Sequence, residues 1–305
     1  MTSSSTASLS EQFGISGEIH FTTLEGLDVL EISNVHGSGR ILLQGALLLD
    51  WTPRGHHPIV WVSPKAKFIS GKAPRGGVPV CWPWFGAHET NATLPAHGIA
   101  RAARWDIVET NRQADQSHRL VFRLQREGTS LSHWPYDTPL EICYTLGKSI
   151  EIELITRNSG HEPITLTEAL HTYFEVSDIR DITITGLEGC NYIDKVAQGA
   201  RKLQSDVIRF SAETDRVYLD TTETCVIHDP GYQRCIRIEK QNSRSTIVWN
   251  PWTEKAASMG DFTEDGYLRM VCVESGNAAD NTLTLGAGAE HRLWVRYSEE
   301  PLSRS

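Results

Sequence analysis

No stretch of this 305-residue sequence approaches the roughly 18 uninterrupted apolar residues that a membrane-spanning helix needs. The first ten residues, Met1-Thr-Ser-Ser-Ser-Thr-Ala-Ser-Leu-Ser10, have neither a basic start nor an apolar stretch, so no secretory signal is read there. Residues 1–15 are expected to be a frayed polar tail, and the chain is expected to be soluble and cytoplasmic. Positive charge is short as well: the formal net charge is -9 and no Lys/Arg block relieves it, which argues against a nucleic-acid partner. Six cysteines (Cys81, Cys143, Cys190, Cys225, Cys235, Cys272) have no C-x-x-C spacing, and several sit inside apolar strand patterns. They read as reduced core residues, not as a disulfide frame or a zinc site. Also absent are G-x-S-x-G, P-loop, H-E-x-x-H and G-x-G-x-x-G patterns, which removes the common hydrolase, nucleotide, zinc-protease and dinucleotide readings.

What is present is alternation. Glu18-Ile-His-Phe21, Leu27-Asp-Val-Leu-Glu-Ile32, Arg119-Leu-Val-Phe-Arg-Leu124, Ser149-Ile-Glu-Ile-Glu-Leu-Ile-Thr156, Asp181-Ile-Thr-Ile-Thr185, Cys235-Ile-Arg-Ile-Glu239 and His291-Arg-Leu-Trp-Val-Arg-Tyr297 all alternate apolar with polar. Half-buried antiparallel strands have this pattern. Turn residues part them at short intervals, and helical patterns are few and short, as at Thr253-Glu-Lys-Ala-Ala-Ser-Met259. No linker, repeat or low-complexity tract interrupts them, so residues 16–300 are expected to form one all-β sandwich or barrel domain.

Several stretches do not read as scaffold. Arg75-Gly-Gly-Val-Pro-Val-Cys-Trp-Pro-Trp-Phe-Gly86 packs glycines, prolines and tryptophans together. Such a segment can line a sugar pocket with indoles, or it can cover one end of the sandwich; the residues alone leave both open. Leu94-Pro-Ala-His-Gly-Ile-Ala-Arg101 follows, so Arg75 and Arg101 both stand beside glycine turns. Of twelve histidines, His56-His57 read as surface loop, and His20, His118, His161 and His291 read as solvated rings at strand ends. His171 differs, because Thr167-Glu-Ala-Leu-His-Thr-Tyr-Phe174 is apolar and aromatic enough to hold an imidazole firmly and shift its titration. Met270-Val-Cys-Val-Glu-Ser275 is the counterpart: a buried-type run in which Glu274 shares a strand face with Met270 and Cys272, opposite Val271 and Val273. Taken singly, His171 reads first as a satisfied core histidine, and Glu274 as either a wet strand end or a working carboxylate. As a pair, an imidazole and a carboxylate on rigid strands are the parts for cofactor-free proton transfer at two atoms of one substrate.

Together the Arg75–Gly86 stretch, His97-Gly-Ile-Ala-Arg101, Ala169-Leu-His-Thr-Tyr-Phe174, Asn250-Pro-Trp252 and Met270-Val-Cys-Val-Glu-Ser275 resemble the hexose-6-phosphate mutarotase (glucose-6-phosphate 1-epimerase) branch of the aldose 1-epimerase family. The likeness runs in order from about residue 20 to residue 298. It implies a galactose-mutarotase-like β-supersandwich of mostly antiparallel strands, and a monomeric enzyme without metal or cofactor. The implied reaction interconverts the α and β anomers of a hexose 6-phosphate, with no nucleic-acid or membrane partner. The resemblance further implies that Glu274 is the general base at the C1 hydroxyl and His171 the general acid at the ring oxygen. Arg75, His97, Arg101 and Asp215, the last within Glu213-Thr-Asp-Arg-Val-Tyr218, would be substrate contacts. Arginine suits a phosphate because its planar fork binds two oxygens at once. Ala96 stands where many members of that family have glutamine, which removes a polar contact. If Glu274 is ionised while His171 is protonated, a bell-shaped rate profile follows. Two alternatives stay open: a non-catalytic sugar-phosphate-binding or regulatory protein on the same fold, and a mutarotase for unphosphorylated aldoses.

Overall fold

The computed structural model describes residues 5–125 and 133–302. Two eight-stranded sheets dominate it. The first runs in the order Ala200–Leu203, Asn191–Asp194, Thr214–Tyr218, Ser245–Asn250, Met270–Asn277, Glu168–Leu170, Val80–Cys81, and Tyr173–Glu175 also pairs with Met270–Asn277. The second runs Thr183–Thr185, Cys225–Asp229, Arg234–Gln241, Glu290–Pro301, Ile150–Arg157, Leu140–Leu146, His118–Leu124, Trp105–Arg112. A four-stranded meander, from Ile19–Leu24 to Leu47–Pro53, and a two-stranded ribbon complete the set. Every pairing between these strands is antiparallel.

The alternation works as side-chain geometry requires. Along Ile150–Arg157 the residues Ile150, Ile152 and Leu154 face Tyr297, Val295 and Leu293 of the neighbouring strand and enter the core, while Glu151 and Glu153 turn outward. From the other sheet Leu170, Phe174, Val248, Val271 and Val273 meet them in the same hydrophobic cluster. Polar ties cross the same space: Thr172 Oγ1 and Tyr297 Oη lie 2.7 Å apart, and the Phe174 ring meets the edge of Tyr297 at 5.0 Å. Two eight-stranded sheets joined through one apolar layer make this an all-β sandwich.

The N-terminal segment departs from the frayed tail expected for residues 1–15. Thr6–Phe13 is an α-helix, capped by Ser5, whose hydroxyl accepts from the Ser8 N–H, and anchored by the buried Leu9. Only residues 1–4 of that tail lie outside the described residues. The short helix expected near Thr253 is present as Trp252–Ser258. His118 and His291 also depart from the solvated reading. His118 is fully buried against Asn34 and Glu18, and His291 Nε2 reaches inward to Glu168 Oε1 at 2.9 Å. No helix among the described residues is long and apolar enough to cross a membrane.

Candidate active site

Strand Met270–Asn277 is the mount. All eight of its residues are buried, so both faces are covered. Val271 and Val273 point into the main core, whereas Met270 and Cys272 join a second cluster with Trp61, Tyr173, Trp249 and Phe262. Glu274 continues this second face. Register then sets its neighbours: Ile247 lies directly opposite Glu274, Trp249 opposite Cys272, and Asp215 opposite Trp249 on the next strand. Directly paired residues share a sheet face, so Asp215, Ile247, Trp249 and Glu274 line one surface.

His171 arrives on the other side of the same strand. Leu170 pairs with Ser275 and Tyr173 with Cys272, while His171 and Thr172 fall in the break between the two short strands. There the His171 N–H donates to the Pro79 carbonyl, and the imidazole stacks on Tyr173 with centroids 4.9 Å apart. The edges of Trp249 and His97 enclose it further. As a result His171 Nε2 stands 3.4 Å from Glu274 Oε1. Each residue also has a second buried polar atom, His171 Nδ1 and Glu274 Oε2, with no hydrogen-bond partner among the described residues. Cys272 lies beneath: it, His171 and Glu274 each offer an atom within 4.8 Å of the others.

Around this pair is a cavity of about 310 Å³ lined by Arg75, His97, Arg101, His171, Asp215 and Glu274 together with Phe85, Tyr173, Ile247, Trp249, Lys255 and Met259. All six site residues expected from the sequence therefore meet in one cavity, near the lower end of the size range for small-molecule sites. A larger cleft of about 740 Å³ lies over the N-terminal meander. Two of its charged pairs, His20–Glu31 and Arg40–Asp50, are partly exposed and already matched, unlike the enclosed His171–Glu274 pair.

The electrostatics follow from burial. It drives Glu274 well above the usual carboxylate range, and the Asp215 charge adds to the effect. Burial likewise pushes His171 well below the ordinary imidazole value, helped by His97 and Arg101. Both shifts favour the uncharged forms, contrary to the expectation of an ionised Glu274 beside a protonated His171. His97 is pushed down to about 3 by burial and then by Arg101, Lys195 and Arg75, so it is neutral at pH 7. Its Nδ1 accepts from the Gly86 N–H at 3.3 Å, leaving Nε2 to hold the ring proton and donate. His97 itself has a left-handed backbone, φ 63°, and its neighbour Gly98 must be glycine: a Cβ there would lie 2.0 Å from the Trp82 carbonyl oxygen.

The two arginines differ. Arg75 is already engaged, donating to Tyr173 Oη at 3.0 Å and pairing with Asp261 at 3.3 Å. Among the described residues Arg101 donates one hydrogen bond, to the Ala96 carbonyl, so it is the less committed of the two. The glycine- and proline-rich loop contributes Phe85 to the cavity, but its indoles do not line it. Trp82 and Trp84 turn inward, donating to Thr156 Oγ1 and the Pro95 carbonyl. The aromatic rings that join Phe85 in the cavity are Tyr173 and Trp249, which the sequence reading missed. Tyr173 had a signal, since it follows His171 by two residues in a strand-like stretch; Lys255, on a short helix, had none.

An imidazole and a carboxylate that both favour neutrality, enclosed by aromatic rings and flanked by arginines, define an acid–base site for a polar, anionic small molecule. The model of the Aldose 1-epimerase family matches residues 28–298, and the chain belongs to that family. A relative from Escherichia coli K12, named "Putative glucose-6-phosphate 1-epimerase", is 38% identical over 258 residues, covering 84% of this chain and 85% of the relative. One from Cenchrus ciliaris with the same name is 34% identical over 274 residues, covering 86% of this chain and 82% of the relative. Among solved structures, one from Salmonella typhimurium named "putative mutarotase" superimposes with a TM-score of 0.88 at 34% identity, covering 95% of this chain and 96% of its own. A galactose mutarotase-like protein from Clostridium acetobutylicum matches with a TM-score of 0.71 at 11% identity over 93% and 98%, a likeness of fold alone.

Proposed function

We propose that this protein interconverts the α and β anomers of a hexose 6-phosphate, with D-glucose 6-phosphate as the first substrate to test. The observation that carries the reading is the 3.4 Å approach of His171 Nε2 to Glu274 Oε1 in a cavity that also holds Arg75 and Arg101. With the pair's proton passed from Glu274 to His171, the carboxylate takes the proton of the C1 hydroxyl while His171 protonates the ring oxygen. The C1–O5 bond breaks and C1 becomes an aldehyde. Rotation about C1–C2 presents the other carbonyl face. On reclosure the oxygen that attacks returns its proton to His171, and Glu274 protonates the new C1 oxygen, so the enzyme ends as it began. His97 Nε2 and Asp215 hold sugar hydroxyls, and Trp249 and Tyr173 pack against the ring's C–H surface.

Phosphate recognition falls chiefly to Arg101, whose guanidinium is the less committed of the two. The names of the relatives support a phosphorylated substrate. The reading takes the protein as a monomer, and six free thiols fit a reducing compartment, the cytoplasm. The test couples α-D-glucose 6-phosphate to a β-specific dehydrogenase and compares the protein with Glu274→Gln and His171→Ala. The expected result is acceleration by the native chain and its loss in both variants. Equal rates in all three would refute the reading; binding without acceleration by the native chain would make it a sugar-phosphate-binding protein.

A further inference from the structure

The assigned chemistry uses His171 and Glu274 but not Cys272, and it leaves two buried polar atoms without partners. His171 is 9% exposed and Glu274 1%, yet His171 Nδ1 and Glu274 Oε2 have no hydrogen bond among the described residues. Such orphans are costly and point to a missing ligand. Cys272 is fully buried on the same face of the strand, and one atom from each of the three residues falls within 4.8 Å of the others. Zinc bonds of about 2.0–2.3 Å put tetrahedral ligand atoms about 3.3–3.8 Å apart, so modest side-chain movement closes the set.

We propose that His171, Cys272 and Glu274 form an inhibitory site for a borderline-soft divalent cation of the zinc class, which silences the protein by taking both members of its acid–base pair as ligands. The donor set selects the class. One nitrogen, one sulfur and one carboxylate suit Zn²⁺ and its chemical neighbours, whereas Mg²⁺ and Ca²⁺ require more oxygen ligands than this pocket floor offers. Charge balance agrees: a divalent ion, a thiolate, a carboxylate and a neutral imidazole sum to zero, so the buried cluster is free of net charge. Binding releases the thiol proton and the proton held by the histidine–glutamate pair to solvent. Three protein ligands leave a fourth position open toward the cavity, where water completes the shell. A hexose and the ion cannot use the same two side chains at once, so inhibition is competitive and reversed by a chelator.

The binding part of this inference stands on geometry alone, and the inhibition part rests on the proposed anomerase activity. Titration of the full-length, metal-stripped protein with Co²⁺ tests the first part. The expected result is one equivalent bound with a thiolate-to-cobalt charge-transfer band in the near ultraviolet, lost in both Cys272→Ser and Cys272→Ala. In Glu274→Gln, read by the same band and not by rate, binding should weaken. Added Zn²⁺ should inhibit anomerisation by the native protein, and the Zn²⁺ needed should rise by about tenfold or more in whichever Cys272 variant retains its native melting profile. Absence of the band from the native protein, its persistence in the variants, or equal Zn²⁺ sensitivity in native and variant proteins would overturn the inference. Failure of the chelated protein to catalyse anomerisation would instead count against the proposed function and leave the cobalt measurement unaffected.

Discussion

His171 Nε2 and Glu274 Oε1 are 3.4 Å apart, and burial pushes the two groups in opposite directions, the imidazole down and the carboxyl up. A neutral imidazole with a neutral carboxyl holds the same number of protons as an imidazolium with a carboxylate. Shifted this way, the pair keeps one shared proton over a wide pH range and works as a coupled unit. Unshifted groups would be in the working charge state only between about 4.5 and 6.5, giving a narrow bell near pH 5.5. The expected kcat/KM profile, measured with a chelator present, is instead a plateau through neutrality. Its acid limb, set by His171, and its alkaline limb, set by Glu274, should lie on opposite sides of neutrality. A narrow bell centred near pH 5.5 would contradict this.

Glu274→Gln should trade activity for stability. Loss of a positioned base costs about 10²- to 10⁴-fold in rate. Because the folded-state value of Glu274 lies above its unfolded value, its contribution to stability is fully present at low pH and is lost as pH rises through the raised value. Glutamine has the same shape and does not titrate. The variant's advantage in urea unfolding should therefore widen with rising pH, toward about 1–3 kcal/mol, the scale of a buried unsatisfied polar group.

Arg101 and Arg75 should separate in kinetics. Arg101→Met should raise KM for a 6-phosphorylated hexose by about ten- to a hundredfold and leave anomerisation of the free sugar nearly unchanged, as loss of a charge-assisted hydrogen bond predicts. Arg75→Met removes the contacts to Tyr173 and Asp261 as well, so it should lower the melting temperature and impair both substrates. Equal loss on both sugars from Arg101→Met would point to a mutarotase for unphosphorylated aldoses.

Beneath the site, Glu168 and His291 tie the two sheets together at 2.9 Å, and Glu168 is entirely buried. Its strand ends one residue before His171. His291→Leu leaves that carboxyl with Asn277 as its remaining partner and should destabilise the fold by about 3 kcal/mol in urea unfolding. Glu168→Gln, which keeps a hydrogen-bonding group of the same size, should cost less. A smaller loss from His291→Leu than from Glu168→Gln would show that the histidine does not support the buried carboxyl.

Much of this was legible one strand at a time. Alternation located the strands from Leu27 to Tyr297, and the run from Met270 to Glu274 read as buried because apolar residues occupied both of its faces. A period of two states which side chains share a face. It does not state which strand lies alongside, because register depends on packing between residues distant in sequence. The indoles show that limit: Trp82 and Trp84 sit in the segment that looked like a sugar platform, yet inward hydrogen bonds take them, and Trp249 reaches the cavity through its pairing with Cys272 and Asp215.

By itself the sequence determined an all-β chain, reduced cysteines, and the residues His171 and Glu274 in apolar settings, since composition and periodicity are local properties. The tertiary structure alone decided that the two meet. The break between Leu170 and Tyr173 lets His171 lie beside the strand that carries Glu274. It alone decided their charge as well, because desolvation depends on everything packed around a group, and here that is contributed by strands and loops from Arg75 to Glu274.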